Sequence, residues 1–524
     1  MQTHTKIALS LLLLGVTGIV AYRFVAPYIE DSQQLSTSDA RDTKGKIHIG
    51  MDSWIGYFPL CSQEMHKRMR TAGYLLSCED DKADYRKRMA ELEEGDLEFA
   101  VTTVDAYLLS GSATNFPGTI VAVIDESKGG DAIVAWGDRL KSLDALKAET
   151  DYRIAFTPAS PSAHLLKSMA VHFDIPRLLA KDKGWHLATD GSEQALKKLL
   201  DKEVDAAVLW EPDVSRALQN QGLVKLLGTE DTDKLIVDVL LVSRKFSQKN
   251  PQAVATVLEN YFDTLRFYRN SAEALLTDAA AQSGLDQQRV GSMLQGVRWA
   301  SLSDNAQNWF GIGNQGAQVE QGLVEAIETA TDILIEYGDY SRNPLPDEDP
   351  FRLIYSQYVG DLYDKALRST QFGQSRVDTA ADKDQGLARK FSALSAQQWQ
   401  ALKEIGTLKI RPIVFQSGTD DLSYEGKLEL DKAVRNLSHY PNFRVMIKGH
   451  TGLRGNKEAN RKLSAARADA VARYLKVTYN VDGNRIRTLG KGAAEPLPRK
   501  MNESSRAYNY RLPRVELFLV TDDI

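Results

Sequence analysis

The chain has only two cysteines, Cys61 and Cys78, in 524 residues. That excludes a disulfide-stapled scaffold or a cysteine-rich metal domain, since either needs several thiols at fixed spacing. Two thiols with no His or carboxylate at ligand spacing make no metal site, and no cofactor is expected. Also missing are Gly-x-Ser-x-Gly, a P-loop, a paired-His metal motif and a Cys–His nucleophile arrangement, so the chain is read as non-enzymatic. The one catalytic opening is a carboxylate in a cleft acting as general acid or base. There is no internal repeat. The net charge of −5 is small, and no uninterrupted apolar run reaches the ~20 residues of a full membrane span.

What is present is ordinary globular material. A hydrophobic content of 43% and a charged content of 26% exclude wholesale disorder and collagen-like chains. The length calls for two or three domains. Charge is unevenly spread: Ala396 to Ile524 carries 23 Lys and Arg against 14 Asp and Glu, the remainder 42 against 56. A basic C-terminal unit on an acidic body implies two parts facing different partners.

The N-terminus sets the compartment. Lys6 precedes an apolar run from Ile7 to Tyr22, followed by Arg23. The run is longer than most signal-peptide cores and short of a full span. Ile19 fits poorly three residues before a cut after Ala21, Pro27 opposes a cut after Ala26, and no Cys accepts lipid. The preferred reading is an uncleaved signal anchor over residues 1–30, with a cleaved signal peptide as the alternative. Either places the body in the periplasm, with Lys6 favouring a cytoplasmic N-terminus. An exported chain leaves nucleic acid an unexpected partner. In that oxidising compartment Cys61 and Cys78, on one rim of a parallel sheet, are placed for a disulfide that the sequence leaves open.

After a polar linker over 31–45, strand and helix patterns alternate. Strands are predicted at Lys46–Met51, Tyr74–Cys78, Leu97–Val101, Thr119–Ile124, Arg153–Phe156, Asp205–Leu209 and Leu235–Val242. Helices are predicted at Pro59–Ala72, Asp84–Glu94, Ser162–Phe173, Pro251–Arg269, Gln287–Val297 and Val319–Tyr337. Such alternation signals βαβ units and parallel sheets. Two α/β lobes are expected within 46–365, lobe 1 from about 46–136 and 235–365 and lobe 2 from about 140–232. A ligand cleft would lie between strand C-termini. A second linker spans 366–395. Residues 396–524 read as a small α+β unit, with strands at Leu408–Phe415, Arg444–Gly449 and Arg514–Leu519 and helices at Tyr424–Ser438 and Lys457–Val477.

The last segment carries Phe415-Gln-Ser-Gly-Thr419, Ile447-Lys-Gly-His450-Thr451, Asn460, Leu463-Ser464, Arg467-Ala468, Gly490-Lys-Gly492 and Arg514-Val515-Glu516. In order and spacing it resembles the OmpA-like peptidoglycan-binding domain. The resemblance implies a pocket for the diaminopimelate end of a peptide stem, with His450, Thr451, Asn460, Arg467 and Arg514 as candidate contacts. Diaminopimelate carries an ammonium and a carboxylate, and an Arg fork suits the latter. The family's acid follows the His-Thr pair, but here that position is Gly452. Peptidoglycan binding therefore stays open, as does Arg467 serving only to solvate a helix face.

The larger region carries Gly50-Met-Asp52-Ser-Trp54-Ile-Gly-Tyr57, Ala100-Val-Thr102-Thr103-Val-Asp105, Asp125-Glu-Ser127-Lys-Gly-Gly130-Asp131, Pro158-Ala-Ser160-Pro-Ser162-Ala-His164 and Leu209-Trp210-Glu211-Pro212. It resembles type 2 periplasmic solute-binding proteins, in the branch of nitrate-, taurine-, alkanesulfonate- and thiamine-precursor-binding components of ABC importers. The expected fold is thus α/β, a two-lobed periplasmic-binding-protein fold, then an OmpA-like α+β domain, behind a membrane-anchor helix. Candidate ligand contacts are Asp52, Trp54, Tyr57, Thr102, Thr103, Asp105, Asp131, Ser160, Ser162, Trp210, Glu211 and Asp238. The plain alternatives are Trp54 as core, Asp105 and Ser162 as helix caps, Glu211 as a surface acid and His164 as structural. Several acids crowding one cleft favour a cation or amine over a bare sulfonate.

Together these readings imply an inner-membrane-anchored small-solute receptor coupled to peptidoglycan, with an ABC permease or another envelope complex as partner. The alternative is a structural envelope tether with a vestigial solute-binding scaffold.

Overall fold

The computed structural model describes residues 43–148, 151–179, 184–312, 322–371, 389–416 and 419–522. The anchor and most of the first linker lie outside them. Among the described residues no helix is long and apolar enough to cross a membrane.

Lobe 1 is built on a six-stranded sheet of β1 (Gly45–Met51), β2 (Tyr74–Asp80), β3 (Phe99–Thr103), β4 (Gly118–Ser127), β10 (Val237–Ser243) and β11 (Val297–Trp299), in the order β11-β4-β10-β3-β1-β2. β1 runs parallel to β2 and β3, while β10 enters antiparallel between β3 and β4. β3, β4 and β10 are buried along their whole length, as near-continuous apolar runs require when helices cover both faces. Lobe 2 has a five-stranded sheet of β5 (Asp131–Trp136), β6 (Ile154–Phe156), β7 (His186–Ala188), β8 (Ala206–Trp210) and β9 (Leu223–Gly228), ordered β7-β6-β8-β5-β9. The chain crosses between lobes twice, from β4 to β5 and from β9 to β10.

The helices that position the site are α1 (Gln63–Thr71), α2 (Tyr85–Glu94), α3 (Val104–Gly111), α4 (Pro161–His172), α5 (Pro251–Asn270) and α6 (Gly322–Tyr337). The C-terminal unit adds α7 (Tyr424–Ser438) and α8 (Lys457–Tyr479), packed on β12 (Lys403–Thr407), β13 (Arg444–His450), β14 (Ile486–Gly492) and β15 (Arg514–Thr521) in the order β12-β15-β13-β14.

Five expectations are corrected. Residues 131–136 belong to lobe 2, because the chain breaks at Gly129-Gly130 and Asp131–Trp136 then pairs with β8 and β9. A Cβ at Gly130 would lie 2.4 Å from the Trp54 ring, so the crossing needs glycine there. The helix expected from Pro59 is a 3₁₀ turn, Ile55–Cys61, and α1 starts only after Ser62, whose Oγ accepts from Met65 N. The helix expected to Val297 ends at Gln295, and Val297–Trp299 becomes edge strand β11. Leu408–Phe415 is not a strand: Lys409 N turns to His172 O at 2.7 Å, and Pro412 has no N–H for a ladder. The ladder lies one step earlier, at β12. A helix, Gln357–Gln371, also runs into the predicted second linker, whose residues 372–388 are outside those described.

Cys61 and Cys78 form a disulfide that ties the 3₁₀ turn to β2.

The C-terminal unit is not a loose appendage. Leu143, Phe173 and Tyr152 of lobe 2 and Ile333 of α6 share one buried cluster with Ile405, Leu437, Tyr440 and Phe443. At the centre, a Cβ on Gly406 would come within 2.9 Å of the Phe173 ring and 3.1 Å of Leu143 Cβ, so β12 is seated at glycine distance. Most polar groups at this seat are paired: Leu143 N to Ile405 O at 3.0 Å, Thr407 Oγ1 to Asp144 at 2.8 Å, and Asn442 Nδ2 to Glu230 O at 2.8 Å.

Candidate functional site

The interlobe cleft gathers the ends of strands and the starts of helices. From lobe 1 come Asp52 after β1, Thr102 and Thr103 on β3, Asp105 on α3, Asp125 on β4 and Asp238 on β10. From lobe 2 come Asp131 on β5, Ser160 and Ser162 at the start of α4, and Trp210 and Glu211 after β8. The dominant feature is buried negative charge. Asp105, Asp125, Asp131 and Asp238 are all at most 4% exposed.

The expected residues divide into three groups. Some are consumed by structure. Asp52 faces Arg88, with Nη2 3.1 Å from its Oδ2. Arg88 is fully buried and also grips Asp81 and the carbonyl of Val101. Trp54 Nε1 donates to Asp125 at 3.2 Å with its ring against Gly130, and the Tyr57 hydroxyl donates to Asp238. The Tyr57 ring is not offered to a ligand, being 1% exposed, whereas Trp54 stays partly exposed. Glu211 accepts from Ser215 N and Oγ, a local helix-start role, and Trp210 N donates to Ser192 Oγ. Thr102 Oγ1 donates to Thr103 O and Ser160 Oγ to Thr157 O.

A second group is buried and unfinished. Thr103 Oγ1, Ser162 Oγ and His164 Nδ1 are buried without a hydrogen-bond partner. His164, expected to be structural with no partner, faces Asp105 across the cleft, its Nδ1 4.0 Å from Asp105 Oδ2. Orphaned buried polar atoms cost about 1–3 kcal/mol each, so three at one interface mark a place where something else completes the set.

The third group is the acids. Asp125 and Asp238 sit opposite each other on β4 and β10. Burial pushes Asp125 up to about 7 and Asp238 well above the usual carboxylate range, so the two are held as a proton-sharing pair. Burial also raises Asp131 to about 7, against the hydrogen bond from Ser127 Oγ, with Asp105 and Glu211 pushing it the same way. Beside these lies a cavity of about 380 Å³, lined from both lobes by Tyr85, Ala106, Leu109, Phe156, Ala163 and Leu166 among others. Among the described residues no group of three His, Cys, Asp or Glu side chains is placed to hold a metal ion.

Sequence reasoning left out Arg88 and Asp125. Asp125 stands in the Asp125–Asp131 motif, where its acidic neighbours leave it no separate signal. Arg88 had no signal, because Arg86-Lys87-Arg88 looks like a solvated helix face.

The two crossing segments are cross-linked next to this site. Ser127 Oγ meets Thr229 Oγ1 at 2.9 Å, and Lys128 Nζ bridges Glu126 (3.2 Å) and Asp233 (3.0 Å). The C-terminal unit holds this hinge directly: Asp233 N donates to His439 O at 2.9 Å, and His439 Nδ1 donates back to Asp233 O at 2.8 Å.

On the C-terminal unit, His450 and Arg514 converge on Glu516 rather than on an open pocket. His450 Nε2 is 3.1 Å and Arg514 Nε 2.6 Å from its carboxylate, and Arg514 also donates to Leu512 O and Glu495 O. Burial would raise Glu516, but these two partners hold it at about 2. Thr451 donates through its N to Gly492 O, and Asn460 Nδ2 to Arg454 O, so both shape the loop. Arg467 is different. It stacks 4.9 Å over the Phe415 ring and donates through Nε to Thr419 O at 3.3 Å, leaving its terminal nitrogens unpartnered among the described residues. A Cβ at Gly452 would meet nothing within 4 Å, so the place of the acid is empty and accessible.

The architecture is therefore a two-lobed α/β binding fold carrying a small α+β domain. Residues 414–510 match the OmpA family, so the C-terminal domain is OmpA-like. This region is 34% identical over 117 residues to outer membrane protein Omp38 of Acinetobacter baumannii, covering 22% of this chain and 33% of that protein. It is 36% identical over 85 residues to the peptidoglycan-associated lipoprotein of Rhizobium meliloti, covering 16% and 48%. The chain thus spans a third to a half of the length of these relatives. Among solved structures, the periplasmic aliphatic sulphonate binding protein SsuA from Escherichia coli aligns with 59% of this chain and 99% of that one, at 17% identity and a TM-score of 0.44. A putative periplasmic sulfonate-binding protein SsuA from Methylobacillus flagellatus aligns with 65% and 99%, at 10% identity and a TM-score of 0.46.

Proposed function

We propose that the chain is a periplasmic small-solute receptor joined to peptidoglycan through its OmpA-like domain and anchored in the inner membrane. The observation that carries this reading is the seat of that domain. It shares a hydrophobic core with lobe 2 and brackets Asp233 on a segment joining the lobes, so a change of lobe angle acts directly on the domain. A diffusible importer subunit has no use for such a seat. Arg467 supplies the wall contact, with its terminal guanidinium nitrogens free for a stem-peptide carboxylate. The Cys61–Cys78 disulfide suits an oxidising periplasm. Anchoring rests on the Ile7–Tyr22 run and is tested by alkaline extraction of membranes, where release of the full chain contradicts it. The same reading takes the chain as a binder and not a catalyst, working with an ABC permease or another envelope complex.

Co-sedimentation of the full chain with purified sacculi tests the wall contact. The account expects pelleting that falls several-fold for Arg467→Ala; unchanged pelleting removes Arg467 from the contact. The rival, an envelope tether with a vestigial cleft, draws on Trp54 and Tyr57 being turned inward and on the acid missing at Gly452. It expects no stabilisation by any solute.

A further inference from the structure

The cleft holds more buried carboxyl groups than its own cations pair with. Arg88 is committed to Asp52 and Asp81, Lys128 to Glu126 and Asp233. Lys167, at the cavity wall, is 2.7 Å from Asp339. Asp105, Asp131 and the Asp125–Asp238 pair are left with no Lys or Arg partner among the described residues. A bare anion entering here would meet carboxylates at both lobes, and their mutual repulsion would rise in a poorly solvated site.

The acids alone would make no site. The independent feature is the set of unfinished donors and acceptors around them. His164 Nδ1 is buried and unpartnered, directed at Asp105 from the opposite lobe across 4.0 Å. Thr103 Oγ1, on the strand residue paired with Asp238, and Ser162 Oγ, two residues before His164, are also buried and unpartnered. The cavity lies next to them: its wall takes in Ala106 and Ala163, the chain neighbours of Asp105, Ser162 and His164, while the acids themselves are covered. Its remaining wall mixes apolar and aromatic side chains, from Tyr85, Leu109, Phe156, Leu166 and Tyr337, with Asp84, Asp339, His186 and the exposed Arg86.

Building on the receptor reading, we infer that the cleft takes a small organic cation. The ligand turns a protonated nitrogen toward Asp105 and Asp131 and leaves an apolar or aromatic body in the cavity. The ammonium or amidinium supplies the missing counter-charge. Its N–H groups are the donors that the carboxylates lack, and the apolar part of the wall takes the body. The Tyr85 ring already carries Arg88 at 4.7 Å and Phe156 stacks on Trp185, so the charge is met by the carboxylates and not by a ring. A metal ion does not fit, as no three ligating side chains come together among the described residues.

The test is thermal unfolding of the full chain with benzylamine, putrescine or ethanesulfonate at millimolar concentration, at pH 7.5. Binding to the folded state raises the midpoint by mass action. The inference expects a rise of about 3 °C or more with at least one amine, none with ethanesulfonate, and loss of the amine response in both Asp105→Asn and Asp131→Asn. Stabilisation by ethanesulfonate alone overturns the cation assignment and leaves the receptor reading standing. An amine response that survives in both variants overturns the placement. No response to any of the three overturns the cation assignment; extending the screen to a broad solute library, with still no response, removes the receptor reading as well.

Discussion

Lobe 2 meets a neighbour on two sides, and the two contacts are built differently. Against the OmpA-like domain it presents an apolar face whose polar groups are mostly paired, the Tyr152 hydroxyl excepted. His172 Nδ1 is 2.9 Å from the Tyr440 hydroxyl and stacks on His439 at 5.6 Å between ring centres, and burial keeps both imidazoles below the ordinary 6.5 and neutral. Against lobe 1 it presents Asp131, Ser162 and His164, buried, charged or orphaned. One interface is nearly complete in the protein alone; the other leaves Thr103, Ser162 and His164 with unpaired buried polar atoms. The contrast teaches where something can still be added: at the cleft and not at the seat, which α6 of lobe 1 also joins through Ile333 and through Thr329 Oγ1, 3.3 Å from His439 Nε2.

The largest expected effect probes the cleft. Asp131→Asn removes a buried carboxylate whose folded value, about 7, stands above its ordinary 3.8. The folded state keeps a proton that the unfolded chain has released, so this group costs stability increasingly as pH rises from about 4 to about 7, and the cost is constant above that. The variant should therefore be more stable than the parent by up to ~4 kcal/mol at pH 8 and equal to it near pH 4, read from denaturant midpoints. Equal stability at both pH values would mean the carboxylate is not strained.

Gly406→Leu probes the finished seat. A side chain there is driven into Phe173 and Leu143, and overpacking of this kind costs ~1–3 kcal/mol. Proteolysis between the domains should become faster, and the unfolding transition should split in two. A single unchanged transition would show that the seat is not tightly closed.

Gly452→Asp sharpens the wall side. With open space at that position, an acid can be added without a clash. One charge-assisted bond to a stem-peptide ammonium should raise sacculus affinity roughly tenfold or more. No gain would place the wall contact away from this loop.

The smallest effect belongs to the polar trim of the seat. Tyr440→Phe deletes one hydrogen bond to His172 and should cost ~1 kcal/mol. Because the folded values of His172 and His439 lie below 6.5, the unfolded chain takes up protons that the folded one refuses as pH falls below 6.5. Docking should weaken in that acid range and be insensitive to pH above it.

Much of the architecture was readable before any coordinates. The alternation through Lys46–Met51, Tyr74–Cys78 and Leu97–Val101 predicts a parallel layer, and β1 lies between β2 and β3 in that sense. Local signals ran out where backbone partners are distant. Leu408–Phe415 has strand composition, but Lys409 takes its acceptor from His172 in another domain. The seat itself was invisible: His172 and Tyr440 are 268 positions apart and carry no motif. In the cleft, crowding of acids was foreseeable from residues at strand ends, whereas which acids are neutralised was not. That depends on Arg88 being drawn under β1 and β3 to Asp52 and Val101 O, a tertiary fact with no sequence period. Tyr57 and Trp54 follow β1 as a ligand-facing aromatic would, but close packing at Gly130 and the pull of Asp238 turn them inward.

The central proposal is that lobe 2 and the OmpA-like domain form one body, and that lobe 1 moves against it although α6 of lobe 1 also touches the domain through Ile333, Thr329 and Glu336. Pulsed electron-spin distance measurement on the full chain tests it most directly, since the disulfide leaves no free thiol to compete for label. Labels would replace the exposed Leu200 of lobe 2, Phe267 of lobe 1 and Val477 of the OmpA-like domain. The account predicts a narrow Leu200–Val477 distribution that benzylamine leaves in place, and a Phe267–Val477 distribution that shifts or narrows on its addition. A broad Leu200–Val477 distribution, or one that moves as much as the other pair, would contradict it.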